Sequence, residues 1–157
     1  GRMGSTMIRD QFAEMYVAGV LADAGWNIYL PHRDVGFDMI ATFASGDDIA
    51  IRPVQVKGLY PTAEKTEKAV YGYVGKLSAL HPEMVLCLVY FPTSLSRSPR
   101  HIAWMPRPAI KQTSRGYRCQ PAKYDGEGPS PRPKFEPFFD DAGLAALCSQ
   151  GFSSAAD

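Results

Sequence analysis

The chain has no run of about 20 apolar residues, the length that a membrane-spanning helix requires, so we expect no membrane partner. Its first residues also lack the apolar stretch of a secretory signal, and we expect residues 1–5 to be an expression-tag remnant or disordered. The 157 residues include 45% apolar and 21% charged side chains, which is typical of a globular protein. We therefore predict a single domain over residues 1–157.

Cysteine is scarce as well. The three cysteines, Cys87, Cys119 and Cys148, lie far apart and are odd in number, so they cannot all pair with one another. Their spacing excludes the usual cysteine-rich zinc sites and a disulfide framework. Unpaired thiols are typical of a reducing compartment, and we expect a cytoplasmic protein.

Acidic residues are absent from residues 84–124, although the whole chain carries a net charge of +1. This segment holds seven of the 17 Lys and Arg residues, so the rest of the chain has ten against 16 Asp and Glu. A basic segment on an acidic body is typical of a phosphate-binding surface, and a solvated loop with a chance bias is the alternative. We predict nucleic-acid contacts from Arg97, Arg100, Arg107 and Lys111, and from Arg33 in an earlier loop.

The first half of the chain predicts one helix followed by three strands. Apolar residues at helical spacing indicate a helix over Thr6–Ala24, and Gly25 is a suitable residue to end it. Alternating apolar residues and turn signals then predict strands over Trp26–Leu30, Phe37–Phe43 and Ile49–Gly58, with a turn at Ser45–Asp48.

The rest of the chain is predicted to add strands and helices to the same sheet. Pro53 interrupts the third strand, where we expect a bulge or an edge-facing position. Residues 113–137, rich in Pro and Gly, predict an extended loop. The whole order favours a central mixed sheet of four to five strands with helices on both sides. The remaining predicted elements are a helix over Glu64–Leu80, strands over Met84–Phe91 and His101–Met105, and a helix over Ala142–Ser149.

A carboxylate, an amide and a lysine stand at the ends of the second and third strands, as Asp38 and the run Gln55-Val56-Lys57. Gln55 and Lys57 are two residues apart, so they share one face of their strand. A turn centred near Asp47 makes residues 38 and 56 approximate partners, which brings Asp38 beside this run.

Oxygen ligands of this kind suit a hard cation, and we predict a Mg²⁺ site, with Mn²⁺ as a substitute. The predicted ligands are the Asp38 carboxylate, the Gln55 amide oxygen and the Val56 carbonyl. Lys57 would position or deprotonate an attacking water and offset charge on phosphate oxygens. This combination predicts metal-assisted attack on a phosphodiester.

Gly36-Phe37-Asp38 at the start of one strand, followed by Gln55-Val56-Lys57 at the end of the next, resembles the PD-(D/E)XK nuclease superfamily. The preceding helix, with Ala13-Glu14, strengthens the resemblance, which covers roughly residues 7–60. It is most similar to the branch with archaeal Holliday junction resolvases and Gln-x-Lys homing endonucleases.

The resemblance implies a restriction-endonuclease-like fold with an αβββαβ core. It also implies that Glu14 joins Asp38, Gln55 and Val56 at the metal, and that the catalytic set is Glu14, Asp38, Gln55 and Lys57. Asp10, one helical turn before Glu14, is the alternative on the same face.

The implied function is a Mg²⁺-dependent endodeoxyribonuclease that hydrolyses DNA phosphodiester bonds, acting as a homodimer because many relatives cut two strands with two sites. Two residues depart from the family pattern: Phe37 replaces a proline, and Gln55 replaces an acidic residue and removes one charge from the site. The alternatives are a catalytically inactive module that binds nucleic acid or a protein, and a metal-dependent hydrolase of small nucleotides.

Overall fold

A computed structural model describes residues 2–61, 70–75, 77, 79–125 and 128–155; in residues 2–9 and 70–75 it describes the backbone. The fold is mixed α/β, with a five-stranded mixed sheet and a smaller antiparallel sheet, so the α/β prediction is confirmed at this level. The helices are α1 (Arg2–Asp23) and α2 (Asp140–Ala146). The strands are β1 (Asn27–Tyr29), β2 (Met39–Ser45), β3 (Asp48–Leu59), β4 (Val70–Gly75), β5 (Val85–Tyr90), β6 (His101–Pro106), β7 (Lys111–Thr113), β8 (Gly116–Asp125) and β9 (Gly128–Pro131).

The five-stranded sheet has the order β1-β2-β3-β5-β6, with β3 antiparallel to β2 and parallel to β5. A two-residue turn closes the β2–β3 hairpin where Ser45 pairs with Asp48, as predicted. Gly46 has φ +61° at the first central position, a conformation that glycine adopts without strain and that matches the twist of the strands.

The register of this hairpin differs by one residue from the predicted one. Met39 pairs with Val54, so Asp38 lies beside Gln55 and not opposite residue 56. The cause is the position of the turn, whose centre falls after Gly46 and not on Asp47. The Asp38 carboxylate lies on the α1 face, where it is hydrogen-bonded to Glu14. Gln55 starts from the opposite face of β3, because Val54 and Val56 pack in the cluster with α1.

Strand β3 pairs with its two neighbours over different halves of its length. It pairs with β2 from Asp48 to Val54 and with β5 from Val54 to Leu59. Of the two alternatives predicted at Pro53, the bulge is wrong, because Pro53 pairs in register with Ile40, and the edge-facing position is confirmed. Successive residues point their backbone groups to opposite sides, so the proline nitrogen points toward β5, where pairing has not yet begun.

Helix α1 packs on the five-stranded sheet through a stripe of apolar residues. Ala13, Val17 and Leu21 recur every four residues and are fully buried in one cluster with the sheet. The helix ends in a Schellman motif: Gly25 has φ +98°, and the Trp26 N–H donates to the Leu21 carbonyl at 3.0 Å. Within the described residues, no helix is long and apolar enough to cross a membrane.

The second face of the sheet is covered by the smaller sheet, of order β4-β8-β7 with β9 beside β8. The predicted helix over Glu64–Leu80 is wrong at Val70–Gly75, which forms β4; its first residues, 64–69, lie outside the described part of the chain. Alternating tyrosine, valine and glycine favour an extended strand over a helix there.

Two further predictions fail in low-periodicity segments. Residues 113–137 contain β8 and β9 and not an extended loop, because Cys119, Ala122 and Tyr124 are buried against the larger sheet despite the surrounding prolines. The predicted disorder of residues 1–5 is wrong from Arg2 onward, where α1 begins.

Helix α2 confirms the predicted last helix, two residues early, but not helices on both faces. Leu147, just after α2, shares a core cluster with Val17 of α1, so both helices lie on the same face. Arg52 of β3 holds the chain that follows α2: its Nε donates to the Leu147 carbonyl at 2.9 Å, and its Nη1 contacts Glu83 at 2.6 Å. Sequence patterns gave no sign of this buried cation.

The packing of α2 predicts opposite effects for two glycine substitutions. A Cβ at Gly143 would overlap the Phe138 carbonyl group and lie 2.8 Å from Trp104 Cδ1, whereas Gly19, on the exposed face of α1, has open space around it. We expect Gly143→Ala to lower the free energy of unfolding by about 1–3 kcal/mol through overpacking. Gly19→Ala should raise it by about 0.5–1 kcal/mol, because alanine is the better helix former.

Urea denaturation of both variants measures these changes. Equal stability of the two variants would contradict the placement of α2 against Trp104.

Candidate active site

The site begins where β2 stops pairing with β3. The Asp38 N–H donates to the Val54 carbonyl at 2.9 Å, so Val54 points its backbone groups toward β2. Val56, two residues later, points the same way, and its N–H donates to Asp38 Oδ2 at 2.7 Å. Its carbonyl therefore also faces the open edge beside Asp38.

Helix α1 passes closely over this edge. A Cβ added at Gly58 would lie 3.5 Å from the Cβ of Ala13, which is ordinary van der Waals contact between helix and strand. Glu14, the next residue, is half-buried, and its side chain is hydrogen-bonded to Asp38. The helix thus brings a second carboxylate to the one that begins β2.

Crowding of carboxylates changes the ionisation of Glu14. Burial raises its pKa from 4.5 to about 7, and the charge of Asp38, its hydrogen bond and the charge of Asp10 act in the same direction. Lys57 opposes this shift. Glu14 therefore keeps its proton to a higher pH than an exposed glutamate does, in its hydrogen bond to Asp38.

Asp10 and Lys57 complete the charged cluster. Burial raises the pKa of Asp10, the Lys57 ammonium lowers it and the Asp38 charge raises it. Lys57 itself is half-buried on β3 and starts from the same face as Gln55. Three carboxylates and one ammonium, from α1, the start of β2 and β3, therefore act on one another.

Gln55 is buried, with 6% of its surface accessible. Its Oε1 is buried and has no hydrogen-bond partner among the described residues. Burying an amide oxygen without a partner costs free energy, and such groups are rare in folded proteins. A cation or a water held at this oxygen would remove that cost.

The donor set fits a magnesium site only if uncharged oxygens take part. Within the described residues, no group of three or more His, Cys, Asp or Glu side chains is arranged to hold a metal ion. The ligands that the structure brings together are the Glu14–Asp38 pair and the Val56 carbonyl, with water for the rest; the Gln55 side chain, predicted as a ligand, starts from the other face of β3. Mg²⁺ accepts one or two carboxylates and several waters, so this set is compatible with it.

The predicted nucleic-acid contacts do not form one surface. Arg97 and Arg100 are exposed in the loop after β5, at the same end of the sheet as Lys57. Arg107 donates from Nη1 to the Ile110 carbonyl at 3.0 Å and so holds a turn after β6. Arg107 and Lys111 both follow β6, so they lie beyond the end of the sheet opposite to Lys57.

Arg33 is exposed in the loop between β1 and β2, five positions before Asp38. The Tyr124 hydroxyl donates to the carbonyls of Leu59 and Phe91, at 2.7 and 2.8 Å. This contact lies near Lys57, and sequence patterns did not indicate it. It ties β8 to the end of β3.

Comparison of the chain with protein-family models, with curated proteins and with solved structures found no match. The geometry of the site is therefore what supports a function.

The raised pKa of Glu14 predicts how stability depends on pH without divalent cations. The folded chain holds this proton up to about pH 7 and the unfolded chain to about 4.5, so Glu14 stabilises the fold fully below pH 4.5. This contribution is lost as the pH rises through 7. We expect Glu14→Gln, which cannot titrate, to flatten the free energy of unfolding across this range.

The measurement is urea denaturation in EDTA over a pH series. Asp23→Asn, which neutralises an exposed carboxylate at the end of α1, is the matched control and should follow the wild-type profile. A Glu14→Gln profile as steep as the wild-type one would refute the raised pKa of Glu14.

Proposed function

We propose that the protein is a Mg²⁺-dependent endodeoxyribonuclease that hydrolyses DNA phosphodiester bonds, with the fold and site of the PD-(D/E)XK superfamily. The order of α1, β1, β2 and β3, followed by the parallel pairing of β5 with β3, supports a restriction-endonuclease-like core. Fold alone does not decide an activity, so the site carries the proposal.

The observation that carries it is the meeting of Glu14 and Asp38 at the open edge of β3, within the field of Lys57. A carboxylate pair that traps a proton near neutral pH is poised to exchange that proton for a cation. A lysine beside the same pair is placed to act on the water or the phosphate that the cation binds.

Each residue then has a distinct task. Asp38, fixed by the Val56 N–H, and Glu14 hold the cation, and the Val56 carbonyl completes the protein ligands on that side. Lys57 orients the attacking water and offsets negative charge that develops on the phosphoryl oxygens. Bound Mg²⁺ would lower the pKa of a water and polarise the phosphate.

Gln55 distinguishes this site from one with a third carboxylate. Gln55 adds no negative charge, so cation affinity depends on Glu14 and Asp38. The same residue favours a second candidate function: an inactive module that keeps the fold and binds nucleic acid. The predicted homodimer stays a prediction.

A cleavage assay separates the two candidates. We expect wild-type protein with Mg²⁺ or Mn²⁺ to cut at least one of linear duplex, branched and single-stranded DNA. Lys57→Ala should reduce the rate by about 100- to 10,000-fold, the usual contribution of general acid–base catalysis. Asp38→Asn should reduce it by more than the roughly 10- to 100-fold typical of an outer partner of a metal ligand.

Asp23→Asn should cut at the wild-type rate, and thermal melts should show that all variants are folded. Cleavage that survives both Asp38→Asn and Lys57→Ala would exclude this site. Metal-dependent cleavage by none of the proteins, with DNA binding intact, would favour the inactive module.

A further inference from the structure

A cationic groove lies on the smaller sheet, away from the candidate active site. It is about 290 Å³ in volume and is lined between β7, β8 and the 3₁₀ turn at Pro133–Phe138. Its four charged lining residues are all cations, namely Lys111, Arg118, Arg132 and Lys134, and no carboxylate lines it within the described part of the chain. We call it the β8 groove.

Two of these cations face each other across paired strands. Lys111 of β7 is the direct partner of Arg118 of β8, and both side chains are exposed. An anion that binds between these two strands can contact both side chains.

The other two cations are held against one aromatic ring. The Arg132 guanidinium lies 5.7 Å from the centre of the Phe135 ring and the Lys134 ammonium 5.3 Å from it. Arg132 also donates from Nη1 to the Gln120 carbonyl of β8 at 2.9 Å. These contacts reduce the conformational entropy that the two cations would lose on binding an anion.

We propose that the β8 groove binds the phosphate backbone of duplex DNA, outside the segment that is cut. The choice of DNA as the polyanion rests on the proposed function. The evidence for an anion-binding groove, its four cations and its shape, is independent of that function. Four cations at one groove suit a repeated anion such as a phosphodiester chain better than a single carboxylate.

Strand β8 connects this groove to the candidate active site. Arg118 and Tyr124 are six residues apart on β8, so their separation is at most about 20 Å. Tyr124 contacts the carbonyl of Leu59, two residues after Lys57. About six base pairs of duplex are as long as this upper bound, so one DNA molecule can reach both places.

The test compares charged and uncharged side chains that line the same groove. Fluorescence anisotropy of a labelled duplex of about 20 base pairs, titrated with KCl in EDTA, gives the slope of log K against log salt without cleavage. Lys111→Ala/Lys134→Ala should reduce the magnitude of that slope by about 1.8, which is 0.9 for each lost phosphate contact. Gln120→Ala, which removes an uncharged lining side chain and keeps the four cations, should leave the slope unchanged.

A third variant distinguishes charge from side-chain shape. Lys111→Arg/Lys134→Arg keeps both charges and should keep the wild-type slope. Urea denaturation of all variants checks that they are folded.

The proposal is overturned by an unchanged slope in Lys111→Ala/Lys134→Ala, by an equal reduction in Gln120→Ala, or by absence of wild-type DNA binding. Binding of poly-glutamate but not DNA would likewise assign the groove to an acidic protein. Cleavage without groove-dependent binding would support the proposed nuclease function and overturn DNA binding at the β8 groove. Groove-dependent binding without cleavage would support DNA binding at the groove and overturn the nuclease function.

Discussion

The staggered pairing of β3 is the constraint on which the rest of the molecule depends. One half of this strand pairs with β2 and the other half with β5, and the two halves share only Val54. Each half therefore leaves one edge without a strand partner. On the β5 side the open edge tolerates Pro53, which has no N–H to offer. On the β2 side it exposes the backbone of Val56, where the Asp38 carboxylate replaces the missing strand by accepting the N–H. The candidate site is thus a consequence of where two strands stop.

This replacement has an electrostatic cost that explains the state of Glu14. A carboxylate that caps a backbone N–H is held in place, and α1 must bring Glu14 to it because Ala13 packs against β3. Two fixed carboxylates at hydrogen-bond distance cannot both ionise easily, and burial removes the water that would screen them. Lys57 reduces the repulsion without cancelling it, since its charge also acts on Asp10. The proton on Glu14 reduces the repulsion between Glu14 and Asp38, and a bound divalent cation would reduce it too.

Local patterns predicted the elements that carry this site, and long-range packing decided what they missed. The turn at Ser45–Asp48, the Gly25 helix end and the buried strand at Val85–Tyr90 each have a signal within a few residues, so they could be predicted. The register slip of one residue could not, because it depends on which turn position Gly46 takes. The smaller sheet was missed for a different reason: β8 buries three side chains against the larger sheet without strict alternation. Its cations therefore looked like part of a solvated segment.

The net charge of the chain is small, but its charges are unevenly distributed between the two sheets. Carboxylates gather where α1 crosses β3, and cations gather where β7 and the turn after β9 meet β8. A polyanion cannot approach the first region unless a cation neutralises it, and it approaches the second without help. If both places serve one substrate, the β8 groove supplies affinity at any metal concentration, and the carboxylates make the reaction conditional on the metal. Gln55 affects the metal-dependent reaction and not the groove. Because it is neutral where an acidic residue would be charged, cation binding is weaker, but the repulsion of an incoming phosphate is also smaller.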